Sequence, residues 1–208
     1  MRYTLFISVG LALLFSCATK SPIANRYVSK KKNIEHLIKL GNLNWEKRVD
    51  VQSAKLSKHF LSKAIELNPD NTDAVALFSR SCYYNGRFIN YNEPESADSL
   101  FTEGFSAAWK FITSTVEFQG GFQSIEGDST AKNIAGLESL PSEVLPVAYW
   151  WAENFTSYLL TKPVLERLEN REIIEAFRMI QGFPNYQVSN MGRVIPVSYT
   201  HLTLPTKA

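Results

Sequence analysis

The chain is 208 residues long, 45% hydrophobic and 20% charged, with a formal net charge of +2. That length accommodates one domain with a sizeable core, and the near-balanced charge gives no support to a nucleic-acid partner for the main body. Its three histidines, His36, His59 and His201, lie too far apart to suggest a zinc site.

The first residues carry one basic side chain, Arg2, followed by an uncharged apolar run from Leu5 to Phe15. This is the layout of an export signal, and the run is shorter than the roughly 20 apolar residues a membrane-spanning helix needs. It ends in Leu14-Phe15-Ser16-Cys17, which resembles the lipobox of bacterial lipoproteins. The resemblance implies cleavage before Cys17, lipid attachment to its sulfur and acylation of the new amino group. Several acyl chains anchor stably where one does not, since each buried methylene contributes about 0.8 kcal/mol. Ala18 is not an acidic retention signal, so the expected location is extracytoplasmic, on the periplasmic face of an outer membrane. Residues 1–16 are thus read as a signal and 17–32 as an acylated polar tether. With Cys17 acylated, Cys82 is left as a lone thiol, expected to be a small core residue.

From Ile34 to Ala176 the apolar residues recur mostly at helical spacing, broken by Gly, Asn and Pro, which predicts an all-α body over 33–175. Ser53 to Leu67 is the clearest amphipathic stretch, stopped by Asn68-Pro69-Asp70-Asn71, because Pro69 cannot continue a helix. Asn71 or Thr72 can cap the next helix, which is expected to run to a turn at Asn85-Gly86. Ala64 lies five residues before Pro69, and Phe78, Ser79 and Tyr83-Tyr84-Asn85-Gly86-Arg87-Phe88 follow. This pattern resembles a tetratricopeptide repeat junction and implies a solenoid in which neighbouring helix pairs cover one another. The spacing departs from a regular 34-residue period: there are extra residues between Gly41 and Ser57, and Asn90 to Ser96 reads as an insertion before a helix over Ala97 to Thr113. Phe118 to Asp128, with two adjacent glycines, is expected to form a loop, and Ser129 to Ser139 a weak helix.

Pro146 suits the first turn of a helix. The helix it opens carries Val147, Trp150, Trp151, Phe155, Tyr158 and Leu159 on one broad aromatic face. The segment Pro146-Val-Ala-Tyr-Trp-Trp-Ala-Glu-Asn154, downstream of a lipobox and a diverged repeat, resembles the T-component lipoproteins of TRAP transporters, over about residues 17–175. The resemblance implies a helical solenoid enclosing an apolar cavity, a hydrophobic ligand, and a periplasmic solute-binding protein as partner. Tyr149, Trp150 and Trp151 carry over as candidate ligand-binding residues, with core packing as the alternative reading for each.

After Glu175 the pattern changes. Phe177 to Val194 resembles the nuclease-associated modular DNA-binding motif of HNH homing endonucleases, matched at Ile180, Gly182, Phe183, Tyr186, Val188, Ser189, Asn190, Gly192, Arg193 and Val194. Val197 to Ala208 resembles translated sequencing-adapter read-through. The expectation is a truncated solenoid joined to a short irregular, non-native tail, with 176–195 as the motif fragment and 196–208 adventitious. A DNA-binding function would then belong to the tail alone. No Gly-x-Ser-x-Gly, His-Glu-x-x-His or glycine-rich phosphate loop occurs, Glu166 and Glu169 read as a solvated helix face, and neither enzyme activity nor a cofactor is expected.

Overall fold

A computed structural model describes residues 22–163 and two short strands, 186–188 and 194–196. Helix α1 (Pro22–Trp45) is followed by α2 (Val51–Leu67), α3 (Thr72–Tyr84), a π turn (Asn85–Ile89) and α4 (Pro94–Ser114). A short pair, α5 (Val116–Ser124) and α6 (Ser129–Glu138), precedes α7 (Leu145–Leu160). Among the described residues, the body is all-α, as the periodicity predicts.

Helix starts follow local chemistry. Asp50, Asn71 and Asp128 each accept a hydrogen bond from the backbone N–H three residues on, at 2.8, 2.8 and 2.9 Å, satisfying donors that the first turn leaves without partners. Pro94 and Pro146 open α4 and α7, where a missing N–H costs nothing. Helices α1 to α4 pack in chain order, each against the next, and α7 then returns to lie against both α3 and α4, while α5 and α6 pack chiefly against each other. Helix α3 is therefore central. Nine of its thirteen residues are buried.

Several boundaries differ from expectation. Residues 22–32, read from the sequence as part of a polar tether, are helical: α1 begins at Pro22, because no glycine or second proline interrupts the chain before Gly41 and the Ser29-Lys32 cluster tolerates a solvated helix. The turn expected at Tyr83 to Phe88 is a helical continuation with i to i+5 bonding, in which the Asn90 N–H donates to the Asn85 carbonyl at 2.8 Å. Helix α4 starts three residues before Ala97, at Pro94. The loop expected over Phe118 to Asp128 is replaced up to Ser124 by α5. Gly121 there serves packing rather than turning, whereas a Cβ on Gly120 would meet open space. A Cβ on Gly121 would overlap the Ser139 side chain and the Ala135 carbonyl, and one on Gly136 would lie 2.7 Å from the Phe118 ring. Small residues on both helices let α5 and α6 approach closely.

The tail is not irregular throughout. Strand β1 (Tyr186–Val188) pairs antiparallel with β2 (Val194–Pro196), Gln187 opposite Ile195, and β2 lies beside α7. Alternation in the motif match is what a two-stranded ribbon requires. Residues 1–21, 164–185, 189–193 and 197–208, which include Cys17, Glu166, Glu169, most of the motif match and the adapter-like segment, lie outside the described residues.

Candidate functional site

Helix α7 carries the aromatic segment. Its residues Tyr149 and Trp151 are buried, at 6% and 4% exposure, whereas Trp150 is half-buried. Adjacent positions on a helix point about 100° apart, and the two indoles accordingly enter different surroundings. The Trp151 ring stacks on Trp109 of α4 at 5.0 Å and on Phe155 at 6.0 Å, Trp109 meets Phe118 of α5 edge-on at 5.5 Å, and Phe118 stacks on Phe122. This first row links α7, α4 and α5. Trp150 instead packs between Tyr149 at 4.8 Å and Tyr83 of α3 at 5.7 Å. Tyr83 continues to Phe101 and Phe88, Phe88 to Tyr84, and Tyr84 to Trp45 of α1 at 5.3 Å. At that end the Arg48 and Arg80 guanidinium groups lie 4.6 and 3.9 Å from the Trp45 ring centre, a cation–π arrangement that suits burial of both ring and charge.

Between these rows runs a buried polar seam. The Ser57 hydroxyl of α2 donates to the Gly41 carbonyl of α1 at 2.9 Å and lies 3.3 Å from the Ser81 hydroxyl of α3. The Ser79 hydroxyl donates to the Gly104 carbonyl of α4 at 3.0 Å. The Asn154 amide of α7 donates to the Ser79 carbonyl at 2.9 Å and the Trp150 carbonyl at 2.7 Å. Its Oδ1 is buried with no hydrogen-bond partner and faces Gly104, where an added Cβ would lie 2.5 Å from that oxygen. Three helices meet at this point because Gly104 has no side chain. Serine and asparagine return hydrogen bonds to carbonyls that water cannot reach, and an unsatisfied buried polar group costs about 1–3 kcal/mol.

The far end of α7 is tied to α4 by Asp98, which accepts from Thr161 Oγ1 at 2.8 Å and pairs with Lys162 at 2.7 Å. The hydrogen bond that the Lys162 ammonium donates to Asp98 raises the pKa of Lys162 above its ordinary value. Cys82 is fully buried, and desolvation pushes its thiol well above the usual thiol range, in keeping with a packing role.

Two cavities are described. One, of about 230 Å³, lies among Ile38 and Asn42 of α1, Asp73 and Leu77 of α3, and Glu143 and Pro146 at the entrance to α7. The other, of about 340 Å³, lies between α2 and α4 over the π turn. Neither is lined by Tyr149, Trp150 or Trp151, so α7 reaches a described cavity only through Pro146. Among the described residues no group of three or more His, Cys, Asp or Glu side chains is placed to hold a metal ion, and no described helix is long and apolar enough to cross a membrane. No protein-family model, curated protein or solved structure matches the chain.

Only the α7 members of the aromatic rows are legible in the sequence, as one stripe at helical spacing. The seam is not. Ser57, Ser79, Gly104 and Asn154 are 16 to 75 residues from the groups they bond or contact on other helices, and single polar residues inside apolar stretches are the only local signal.

Proposed function

We propose that the chain is a membrane-tethered, extracytoplasmic lipoprotein whose diverged helical-repeat body serves as a binding or scaffold component beside a TRAP-type transporter. The observation that carries this reading is the seat of α7. The Pro-Val-Ala-Tyr-Trp-Trp-Ala-Glu-Asn segment sits against α3 and α4 together, with its indoles divided between two helix interfaces. Such an arrangement, after helices that each pack on the next, supports a stack in which every pair needs its neighbour for a core. The groove bordered by α1, α3 and the start of α7 offers a concave surface for a solute-binding protein, and the half-buried Trp150, Phe155 and Tyr158 offer apolar surface for a hydrophobic ligand. In this reading the chain recognises partners and ligands rather than catalysing a reaction.

Cys17 supplies the anchor in this reading, through the Leu14-Phe15-Ser16-Cys17 match. Expression of the full chain in a lipoprotein-processing bacterium with a labelled fatty acid tests it. Label and membrane retention should be present, and both should vanish in Cys17→Ser; equal labelling of the variant would exclude the lipoprotein assignment. The transporter association is tested by crosslinking from α1 and α3 groove positions to the solute-binding protein encoded beside it. Absence of any such neighbour from the locus would remove the partner. The ribbon over Tyr186 to Pro196 is, in the same reading, a foreign segment joined to the body. Sequencing the locus from one isolate should give a frame that continues past Glu175 as helical sequence, and recovery of residues 177–208 unchanged would refute the joining.

A further inference from the structure

The cavity between α2 and α4 is distinct from the aromatic helix and has a different chemistry. Lys55, Lys58, His59 and Ser62 line one side. They occupy positions i, i+3, i+4 and i+7 of α2, so they form one stripe along the helix. Its floor is Asn85, 2% exposed, whose Nδ2 is fixed by the Ala54 carbonyl at 3.1 Å and the Ser81 carbonyl at 2.8 Å. Asn85 opens the π turn, a rare helical form that recurs at functional sites, and Leu100 of α4 is the apolar wall.

The charges are unevenly matched. Glu103 of α4 pairs with Lys58 at 2.5 Å, which positions that ammonium at the α2–α4 interface but leaves it further donors. Among the described residues no carboxylate pairs with Lys55. The stripe thus combines two ammonium groups, an imidazole and a hydroxyl around a space of about 340 Å³. The geometry points to a binding site here for a compact oxyanion, a carboxylate or phosphate group carried by a small polar molecule. Lys55 and Lys58 supply the attraction and the His59 ring an N–H donor, while the Ser62 hydroxyl donates to Glu66 Oε1 at 3.4 Å on the rim of the site. The rigid Asn85 floor sets the depth. This site is independent of the transporter reading.

Calorimetric titration of the full chain at low ionic strength, with inorganic phosphate, succinate and a short-chain phosphatidylglycerol below its micelle concentration, tests the assignment and separates free anions from a lipid headgroup. Saturable one-to-one binding of at least one probe is expected, weakening with added salt. Lys55→Gln combined with Lys58→Gln should lower affinity about tenfold or more, and Lys110→Gln, an exposed control on α4, should leave it unchanged. Glu103→Gln should tighten binding about threefold by releasing Lys58, an outcome that loss of fold would not produce. Failure of all three probes to saturate would overturn the site. So would parent-like affinity in both the double lysine variant and Glu103→Gln.

Discussion

The centre of the stack and the α5–α6 pair solve the same packing problem by different means. Helix α3 is covered by α2, α4 and α7, and it buries apolar side chains together with its own Ser79 and Ser81, bonded to α2, α4 and Asn154 of α7. The α5–α6 pair has mainly itself, plus the apolar contacts through which Phe118 and Leu137 join the edge of the core shared by α3, α4 and α7. It therefore relies on close approach at Gly121 and Gly136. Several neighbours with mutual bonds make a cooperative unit, whereas a single short interface makes a region that can open on its own.

The contrast is broken most strongly at Trp151. Trp151→Ala removes the ring by which α7 stacks on Trp109 of α4 and should cost about 3–5 kcal/mol in denaturant unfolding. Trp150→Ala, half-buried on the other row, should cost less and should weaken uptake of a hydrophobic fluorescent probe more per unit of lost stability. If both variants lose stability equally and neither changes probe binding in the folded fraction, α7 is core alone and the ligand part of the proposed function falls. Cys82 reports on the same unit, because burial keeps its thiol protonated and covered. Its labelling by a thiol reagent should require global opening and should accelerate in Trp151→Ala.

Gly104→Ala should cost about 1–3 kcal/mol by overpacking against Asn154. Combining it with Asn154→Ser, which shortens the opposing side chain, should recover part of that loss, giving a non-zero coupling energy in a double-mutant cycle. Strict additivity would show that the two residues do not meet. At the periphery, Gly121→Ala forces the same kind of overlap onto the Ala135 carbonyl, yet its loss of hydrogen-exchange protection should stay within α5 and α6. Spread of that loss to α3 amides would mean that the two regions form one cooperative unit. A smaller effect, about 1 kcal/mol, is expected from Asn71→Ala, which removes the side-chain acceptor of the Ala74 N–H.

The smallest effect is a pH dependence at the start of α2. Hydrogen bonds from Ser53 hold the Asp50 carboxyl below its ordinary value, which is about 3.9 in an unstructured chain. A depressed folded-state pKa gives stabilisation that is present above the unfolded value and is lost as pH falls through the folded one. Asp50→Asn should therefore flatten the acid limb of the stability curve slightly while leaving neutral behaviour almost unchanged, and an unaltered acid limb would remove the cap from the account.

Local chemistry carried the helical class of the body, the stop at Asn68-Pro69, the cap at Asn71 and the entry of α7 at Pro146, because propensity, proline geometry and capping act within a turn or two of chain. It also flagged the adjacent indoles and the change of character that becomes β1 and β2. It misread Gln119-Gly120-Gly121 as a loop, since a glycine selected for close approach and a glycine selected for a turn are identical in sequence. The division of Trp150 and Trp151 between two interfaces was decided only by the return of α7 onto α3 and α4. The same return put Asn154 over Gly104 and against Ser79, contacts 50 and 75 residues apart in the chain. Packing between distant segments depends on where whole helices lie, and no local pattern encodes that.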